Sequence, residues 1–301
     1  MVTGAIISGM GASAFLFNML DTAIVNPLAL NMEGGVFPAV IYSRWAPLLR
    51  KLGLIYGALA VTGALLQRNP PSHQADYPID RLLGRRPAAS AVFGKGAKKG
   101  ADRKGAEATV APPRSLASDV FSLRFGVMWL MILNSAVSGL NVAGSYKTFG
   151  TKQPQLNSDT FLSLVGSLSA IFGNAAGRFF WGGVSDVAGF KRPFVVLTLL
   201  QSATMLSYAR LARSRATFAL ATIVMLFCMG GNFAMFPAQT LREFGANGAR
   251  VYSFLFTGFG SAALMGPILG NYLLSKGGFE LLYTTLGLLS LVSTALASAT
   301  F

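Results

Sequence analysis

Eight stretches of the chain are each long and apolar enough to cross a lipid bilayer, near 4–20, 49–66, 125–146, 160–182, 193–208, 218–236, 251–274 and 281–297. Spanning a hydrocarbon core of about 30 Å takes about 20 apolar residues in a helix. The runs are unbroken and lack period-two alternation, so helices rather than barrel strands must satisfy the backbone in lipid. The expected fold class is all-α, a polytopic membrane protein. Composition agrees, because 52% of the 301 residues are hydrophobic and only 12% are charged, too apolar for an ordinary soluble chain. The fifth run is the least secure, being short and followed by Arg210, Arg213 and Arg215.

The formal charge of +14 is placed unevenly. From Arg68 to Arg124 there are eleven basic residues against five acidic ones. A basic loop between membrane helices marks the cytoplasmic side, which argues against nucleic acid as the partner of these charges. Its Gly, Ala, Pro and Ser content predicts disorder. Binding of anionic lipid or a regulatory partner by 95–104 is the alternative use of the same residues. The expected organisation is 1–67 as two helices ending a first half-bundle, 68–122 as a basic cytoplasmic linker, and 123–301 as a six-helix half-bundle. The loops at 183–192 and 241–250 then also face the cytoplasm. Lys191, Arg192, Arg242 and Arg250 fit that orientation, whereas Arg213 and Arg215 do not.

Met1 leads almost directly into an apolar segment with no basic preface and no convincing cleavage site, so no signal peptide is expected. Two helices before a set of six suggest a first half lacking its opening four. A natural eight-helix protein is the other reading. Cys228 is the single cysteine and excludes an internal disulfide, and His73, the single histidine, lies in the polar linker. A histidine-based metal site or triad therefore has no material. No acid–base pair, nucleophile with base, or metal cluster shares a depth, so neither an enzyme nor a cofactor is expected.

Arg178 stands inside an apolar helix, within 173–192, and is the residue that most needs a reason. Insertion scales put an arginine in hydrocarbon at roughly 2.5–3.5 kcal/mol, and such residues usually serve a substrate, an ion or a partner charge. It lies about four residues from the expected cytoplasmic end, so snorkelling is its bland alternative. No acidic residue occurs in the six C-terminal spans to neutralise it. A guanidinium holds a carboxylate through two parallel hydrogen bonds, so a small organic anion is the expected ligand.

Two polar stripes accompany it. Asn134, Ser138, Asn141 and Ser145 share one face of the third run, and Ser163, Ser167, Asn174 and Arg178 share one face of the fourth. Such stripes either line an aqueous path or hydrogen-bond neighbouring helices, and Arg178 favours the path. Gly166, Ala170, Gly173 and Gly177 form a small-residue ridge beside the second stripe. Gly182, Asp186, Gly189, Lys191 and Arg192 make a charged glycine turn, where Asp186 is expected beside helix N-termini and basic residues as a cytoplasmic latch.

That turn resembles the loop signature of the major facilitator superfamily, glycine, aspartate, glycine and paired basic residues. Within it, the chain is similar to the monocarboxylate transporter and oxalate:formate antiporter branch. The carrying residues are Gly177-Arg178 leading into Trp181-Gly182, Tyr146-Lys-Thr-Phe-Gly150, Gly230-Gly-Asn-Phe-Ala-Met-Phe-Pro237 and Phe254-Leu-Phe-Thr-Gly-Phe-Gly-Ser-Ala-Ala-Leu-Met-Gly-Pro267. The resemblance implies a major-facilitator-type bundle whose helices correspond to five through twelve of twelve, with Arg178 at the branch's substrate-carboxylate position. In the oxalate-exchanging member a lysine stands where this chain has Phe259, which disfavours a dicarboxylate. Some monocarboxylate carriers have an aspartate where this chain has Asn174, which leaves coupling to protons or to a counter-anion open.

The expected function is secondary active transport of small monocarboxylates such as lactate, pyruvate or formate, by alternating access in a lipid bilayer. Arg178 would bind the carboxylate, Asn174 and Asn141 would orient it, and Phe259 would contact its apolar part. A plasma membrane is preferred to an organelle. The competing readings are a non-transporting sensor or scaffold that keeps the fold, and an oxalate/formate exchanger.

Overall fold

The computed structural model describes residues 2–31, 36–66 and 115–301. The helices in order are α1 Val2–Val25, α2 Ala39–Ser43, α3 Trp45–Leu66, α4 Leu116–Val120, α5 Leu123–Thr151, α6 Asp159–Leu168, a π-helical segment Ser169–Ala175, α7 Ala176–Ala188, α8 Lys191–Leu211, α9 Arg215–Phe244, α10 Gly248–Leu255 and α11 Thr257–Thr300. The fold is all-α. Five helical stretches among the described residues are long and apolar enough to cross a membrane, the last being Arg215–Thr300.

That last stretch holds three passes rather than one. It breaks after Phe244, at a short 3-10 turn Gly245–Asn247, and again at Gly277 and Gly278. Gly278 has φ 65, a left-handed conformation that a side chain would strain, so α11 folds into two arms around it. The expected spans 251–274 and 281–297 are these two arms, the first completed by α10. At the front of the chain α1 runs five residues past the expected end at Leu20.

Helix starts follow capping chemistry. The side chains of Ser122 and Ser158 accept from the backbone N–H groups of Phe125 and Phe161 at the heads of α5 and α6. Ser115 caps α4 in the same way. This short helix lies inside the expected linker 68–122, so the linker's last residues are helical rather than irregular. Asp119 of α4 is buried and accepts from Asn247 Nδ2 at 2.8 Å, which fixes the end of the linker to the head of α10. The basic stretch 95–104 and the expected disorder around it lie outside the described residues.

Residues 1–45 and 114–301 form one compact unit, and 46–113, carrying most of α3, form a second. The α3 surface is almost wholly exposed. Inside the first unit α11 packs along α5 and α8, while α9 packs against α8 and against the rod made by α6, the π segment and α7. The outer face of that rod carries α1.

Two aromatic clusters fill the bundle. Phe149, Tyr208, Phe218 and Tyr283 meet at the end remote from the linker, with ring centroids 4.8 Å apart for Tyr208 and Tyr283. Trp181, Phe190, Phe194 and Phe236 fill the linker-side end. Between them lies a buried polar layer. Ser135 Oγ lies 3.2 Å from Gln201 Oε1 and accepts from Asn232 Nδ2 at 2.9 Å. Gln201 Nε2 donates to the Ser135 carbonyl at 2.7 Å and to Ser290 Oγ at 3.2 Å, and Ser290 meets Ser138 at 3.1 Å. Four helices are tied at one level, where lipid offers no hydrophobic drive for helix association. Ser138, one member of the first polar stripe, therefore serves helix packing rather than an aqueous path.

Candidate functional site

The continuous rod 159–188 changes winding in its middle. From Ser169 to Ala175 the backbone is π-helical, with i→i+5 hydrogen bonds that wind fewer degrees per residue. A regular 100° step therefore fails across it, and the second polar stripe splits. Ser167 turns toward α1, where Asn18 Nδ2 donates to Ser167 Oγ at 2.7 Å and to the Ser163 carbonyl at 3.0 Å, while Ser163 Oγ accepts from Lys147 Nζ of α5 at 2.9 Å. Asn174 and Arg178 turn toward α9.

Glycine sets how closely α7 approaches α9. A Cβ on Gly173 would stand 2.8 Å from the Ile223 carbonyl oxygen, and one on Gly177 would stand 2.9 Å from Phe227 Cα. From the other side, a Cβ on Gly230 would lie 3.0 Å from the Arg178 backbone nitrogen. The Arg178 backbone is thus clamped against a glycine face. Bulk at any of the three would drive the helices apart.

Only 3% of Arg178 is exposed. Its Nε donates to Asn174 Oδ1 at 2.7 Å, one helical turn before it. Its guanidinium carbon stands 4.2 Å from the centre of the Phe233 ring, inside the range for a cation–π interaction. Phe233 in turn meets Phe259 at 4.6 Å, and Phe259 stacks on Phe256 at 5.4 Å and 15°. Tyr252 of α10 packs on Phe256 with ring centroids 5.9 Å apart and joins the same aromatic group. A buried cation oriented by an amide and walled by aromatic rings can hold a small carboxylate at its polar end and an apolar tail against the rings.

The structure brings Arg178, Asn174 and, through Phe233, Phe259 into one place. Asn141 is elsewhere. Lys147 of α5 bonds Ser163 of α6, which fixes the relative depth of the two helices. At 1.5 Å per residue, Asn141 then lies about 13 Å in depth from Arg178. Its Nδ2 donates to its own helix at the Val137 carbonyl, 3.0 Å away, and the side chain lies over Gly266 and Gly270 of α11. There it lines a separate groove of about 330 Å³ with Ser145, Thr148 and Asn271. Sequence spacing places a residue on a helix face but does not fix its depth against a neighbour.

The charged turn sets Asp186 beside a basic residue of another helix. Asp186 lies in the last turn of α7, not at a helix N-terminus, and its Oδ1 is 3.7 Å from Arg242 Nη2. Arg242 Nη1 also donates to the Ser185 carbonyl at 3.2 Å. Gly189, with φ 79, ends α7 and reverses the chain, so Lys191 and Arg192 leave with α8. Lys191 Nζ reaches the Ser298 carbonyl at 2.9 Å near the end of α11, and Arg192 is exposed. A Cβ on Gly182 would stand 3.4 Å from the Ala234 side chain, an ordinary contact. The basic partner of Asp186 thus comes from α9, which packing against α7 supplies and local sequence does not.

Phe233, Tyr252 and the π segment were not singled out from sequence. Phe233 lies within the quoted 230–237 segment, four residues before Pro237, but an aromatic residue in an apolar run carries no mark of facing a cation.

Comparison with known proteins bears on the whole chain. The profile described as Major Facilitator Superfamily matches residues 125–301. Apicoplast pyruvate carrier 1 of Toxoplasma gondii is 28% identical over 286 residues, covering 85% of this chain and 50% of that protein. Apicoplast pyruvate carrier 2 of the same organism is 29% identical over 163 residues, covering 54% of this chain and 24% of that protein. The chain thus spans about half the length of the first relative and about a quarter of the second.

Proposed function

The chain belongs to the major facilitator superfamily, and from that premise we propose that it acts as a secondary active transporter of small monocarboxylates, pyruvate first among them. Family membership sets it with transporters rather than enzymes, in a lipid bilayer with a small organic substrate. One observation carries the finer reading. Arg178 is buried with its Nε fixed by Asn174 and one face against Phe233, an oriented cation of the kind that recognises a carboxylate.

In this reading the substrate carboxylate meets the Arg178 guanidinium, and its short tail lies toward Phe233 and Phe259. A two- or three-carbon chain suits that wall. Phe259 meets Phe233 at 4.6 Å, so the wall offers no second cation to a dicarboxylate, which argues against an oxalate/formate exchanger. The names of the relatives support pyruvate as the first substrate to test. Alternating access would use the glycine-lined α7–α9 contact and the Asp186–Arg242 contact as moving parts. The cycle needs no cofactor and takes a proton or a counter-anion as its coupling ion.

The test is uptake of labelled pyruvate, lactate, formate and oxalate by the full-length protein in proteoliposomes. Arg178→Gln should lower monocarboxylate uptake by roughly a hundredfold or more, as expected for a lost buried charge-assisted contact. Arg178→Lys should restore little, because an ammonium cannot reproduce the paired donors. Unchanged uptake in both variants would remove Arg178 from the mechanism. Absence of flux in the parent, with partner binding through the linker, would favour the sensor or scaffold. The relatives are named for an organelle, so an organellar membrane stands beside the plasma membrane, and imaging of the tagged protein separates the two.

A further inference from the structure

The end of the bundle remote from the linker holds a charged cluster that the Arg178 site does not use. Lys147 of α5 is half-buried, its side chain 39% exposed, and its Nζ donates to Ser163 Oγ at 2.9 Å. Asp159, the first residue of α6, is buried at 9% exposure. Its Oδ1 lies 3.8 Å from Lys147 Nζ, well beyond the roughly 2.7–2.9 Å of a charge-assisted hydrogen bond. Asp159 is held by other groups: Asn26 Nδ2 donates to its Oδ2 at 2.7 Å, and its own N–H donates to Asn31 Oδ1 at 2.9 Å. The carboxylate is therefore fixed in place without engaging the lysine fully.

Beside the two charges opens a cavity of about 200 Å³, lined also by Thr148, Thr151, Asn157 and Phe37. Its wall offers an ammonium, two hydroxyls and an amide. The internal carboxylate shows what this lining accepts, since Lys147 already faces one negative group at a distance. We propose that Lys147 and the Thr148–Thr151 wall form a second carboxylate-binding site, an outer station for the same small monocarboxylate on its way to or from Arg178. This rests on the reading of the chain as a monocarboxylate carrier for its biological use, though not for its test.

Asp159 gives the station its character. An entering carboxylate gains Lys147 and is repelled by Asp159, so binding is weak and release is quick. Ser163 and Arg178 are fifteen residues apart along one rod, about 22 Å at 1.5 Å per residue, so the station and the Arg178 site lie at different depths of the bundle. The two members of the ion pair then have opposite effects on ligand affinity. A purely structural ion pair would make them act alike.

The experiment reads binding without flux. In the full-length protein, with other reactive cysteines removed, Thr148→Cys is labelled by a soluble maleimide at increasing pyruvate. The expected result is slower labelling with pyruvate in the parent and equally in Arg178→Gln. Lys147→Gln should raise the half-protecting concentration by about tenfold, as for the loss of one ion-pair contact in a partly desolvated site. Lys147→Arg should stay near the parent, and Asp159→Asn should lower that concentration about threefold. No protection in the parent, equal protection in Lys147→Gln, or shifts of one sign in Lys147→Gln and Asp159→Asn would overturn the proposal. Failure of the carrier reading is seen separately, as absent pyruvate uptake in the unlabelled parent.

Discussion

Gly177 is where one added methyl tests both packing and transport. A Cβ there stands 2.9 Å from Phe227 Cα and closer still to the Phe227 carbonyl oxygen, both backbone atoms that cannot rotate away. To regain the roughly 3.5 Å of ordinary carbon–carbon contact, α7 and α9 must part by at least about 0.6 Å. Overpacking of this kind costs about 1–3 kcal/mol, offset in part by the roughly 0.5–1 kcal/mol that alanine gains over glycine in a helix. A net destabilisation of about 1–2 kcal/mol is expected for Gly177→Ala. The displaced backbone carries Arg178 on its next residue and moves it off Phe233. Since a misplacement of about 1 Å can cost a hundredfold in a positioned reaction, uptake should fall by more than stability alone explains. Gly183 is the control, because a Cβ there meets nothing within 4 Å. Gly183→Ala should leave uptake intact and keep or slightly raise the unfolding midpoint. Thermal unfolding in detergent and pyruvate uptake in proteoliposomes, on the full-length protein, read both quantities. If Gly177→Ala matches Gly183→Ala in both, the close α7–α9 contact does not position Arg178.

Phe233→Leu should weaken substrate affinity while leaving folding near the parent, because the lost cation–π contact is worth about 0.5–2 kcal/mol; KM and the unfolding midpoint measure the two. Asn174→Ala removes the acceptor of Arg178 Nε and should lower uptake about tenfold, as for the loss of one hydrogen bond to a charged group; equal uptake would show that the guanidinium is oriented by other contacts. Gln201→Leu breaks the bonds to Ser135 and Ser290 and should cost about 1–2 kcal/mol of unfolding stability, with a smaller loss when Asn232→Leu is already present. Asp186→Asn should change stability by less than about 1 kcal/mol, the range for half-exposed ion pairs, so any loss of uptake at a preserved unfolding midpoint would mark the Asp186–Arg242 contact as conformational.

Much of the architecture was legible in residues 1–301 because apolar length is a local property. A run of about 20 apolar residues declares a membrane helix whatever its neighbours do. The three passes inside 215–300 were legible as the apolar runs 218–236, 251–274 and 281–297, and the structure places their breaks at Gly245 and at Gly277-Gly278. Arg178 stood out for the same reason, since a buried charge is costly wherever its partners lie. Asp159 was passed over because it sits one residue before the apolar run, and only burial by Asn26 and Asn31 makes it notable.

What tertiary structure decided was who faces whom. Helical periodicity assigned Ser163, Ser167, Asn174 and Arg178 to one face, but the π segment between them changed the phase, leaving the Ser163 hydroxyl with Lys147 of α5, Ser167 with α1 and Arg178 with α9. Likewise Asn141 kept its expected face and lost its expected partner, because depth between helices is set by contacts such as Lys147 with Ser163. Asp186 meets Arg242, fifty-six positions away, a basic neighbour that local sequence does not name. Sequence alone determined that this chain lies in a membrane as helices and that Arg178 stands in an apolar run, since those follow from the cost of placing each residue in lipid. The aromatic wall at Arg178 and the cluster at Lys147 came only from the fold, because contacts between helices depend on winding, register and close approach that no single segment encodes.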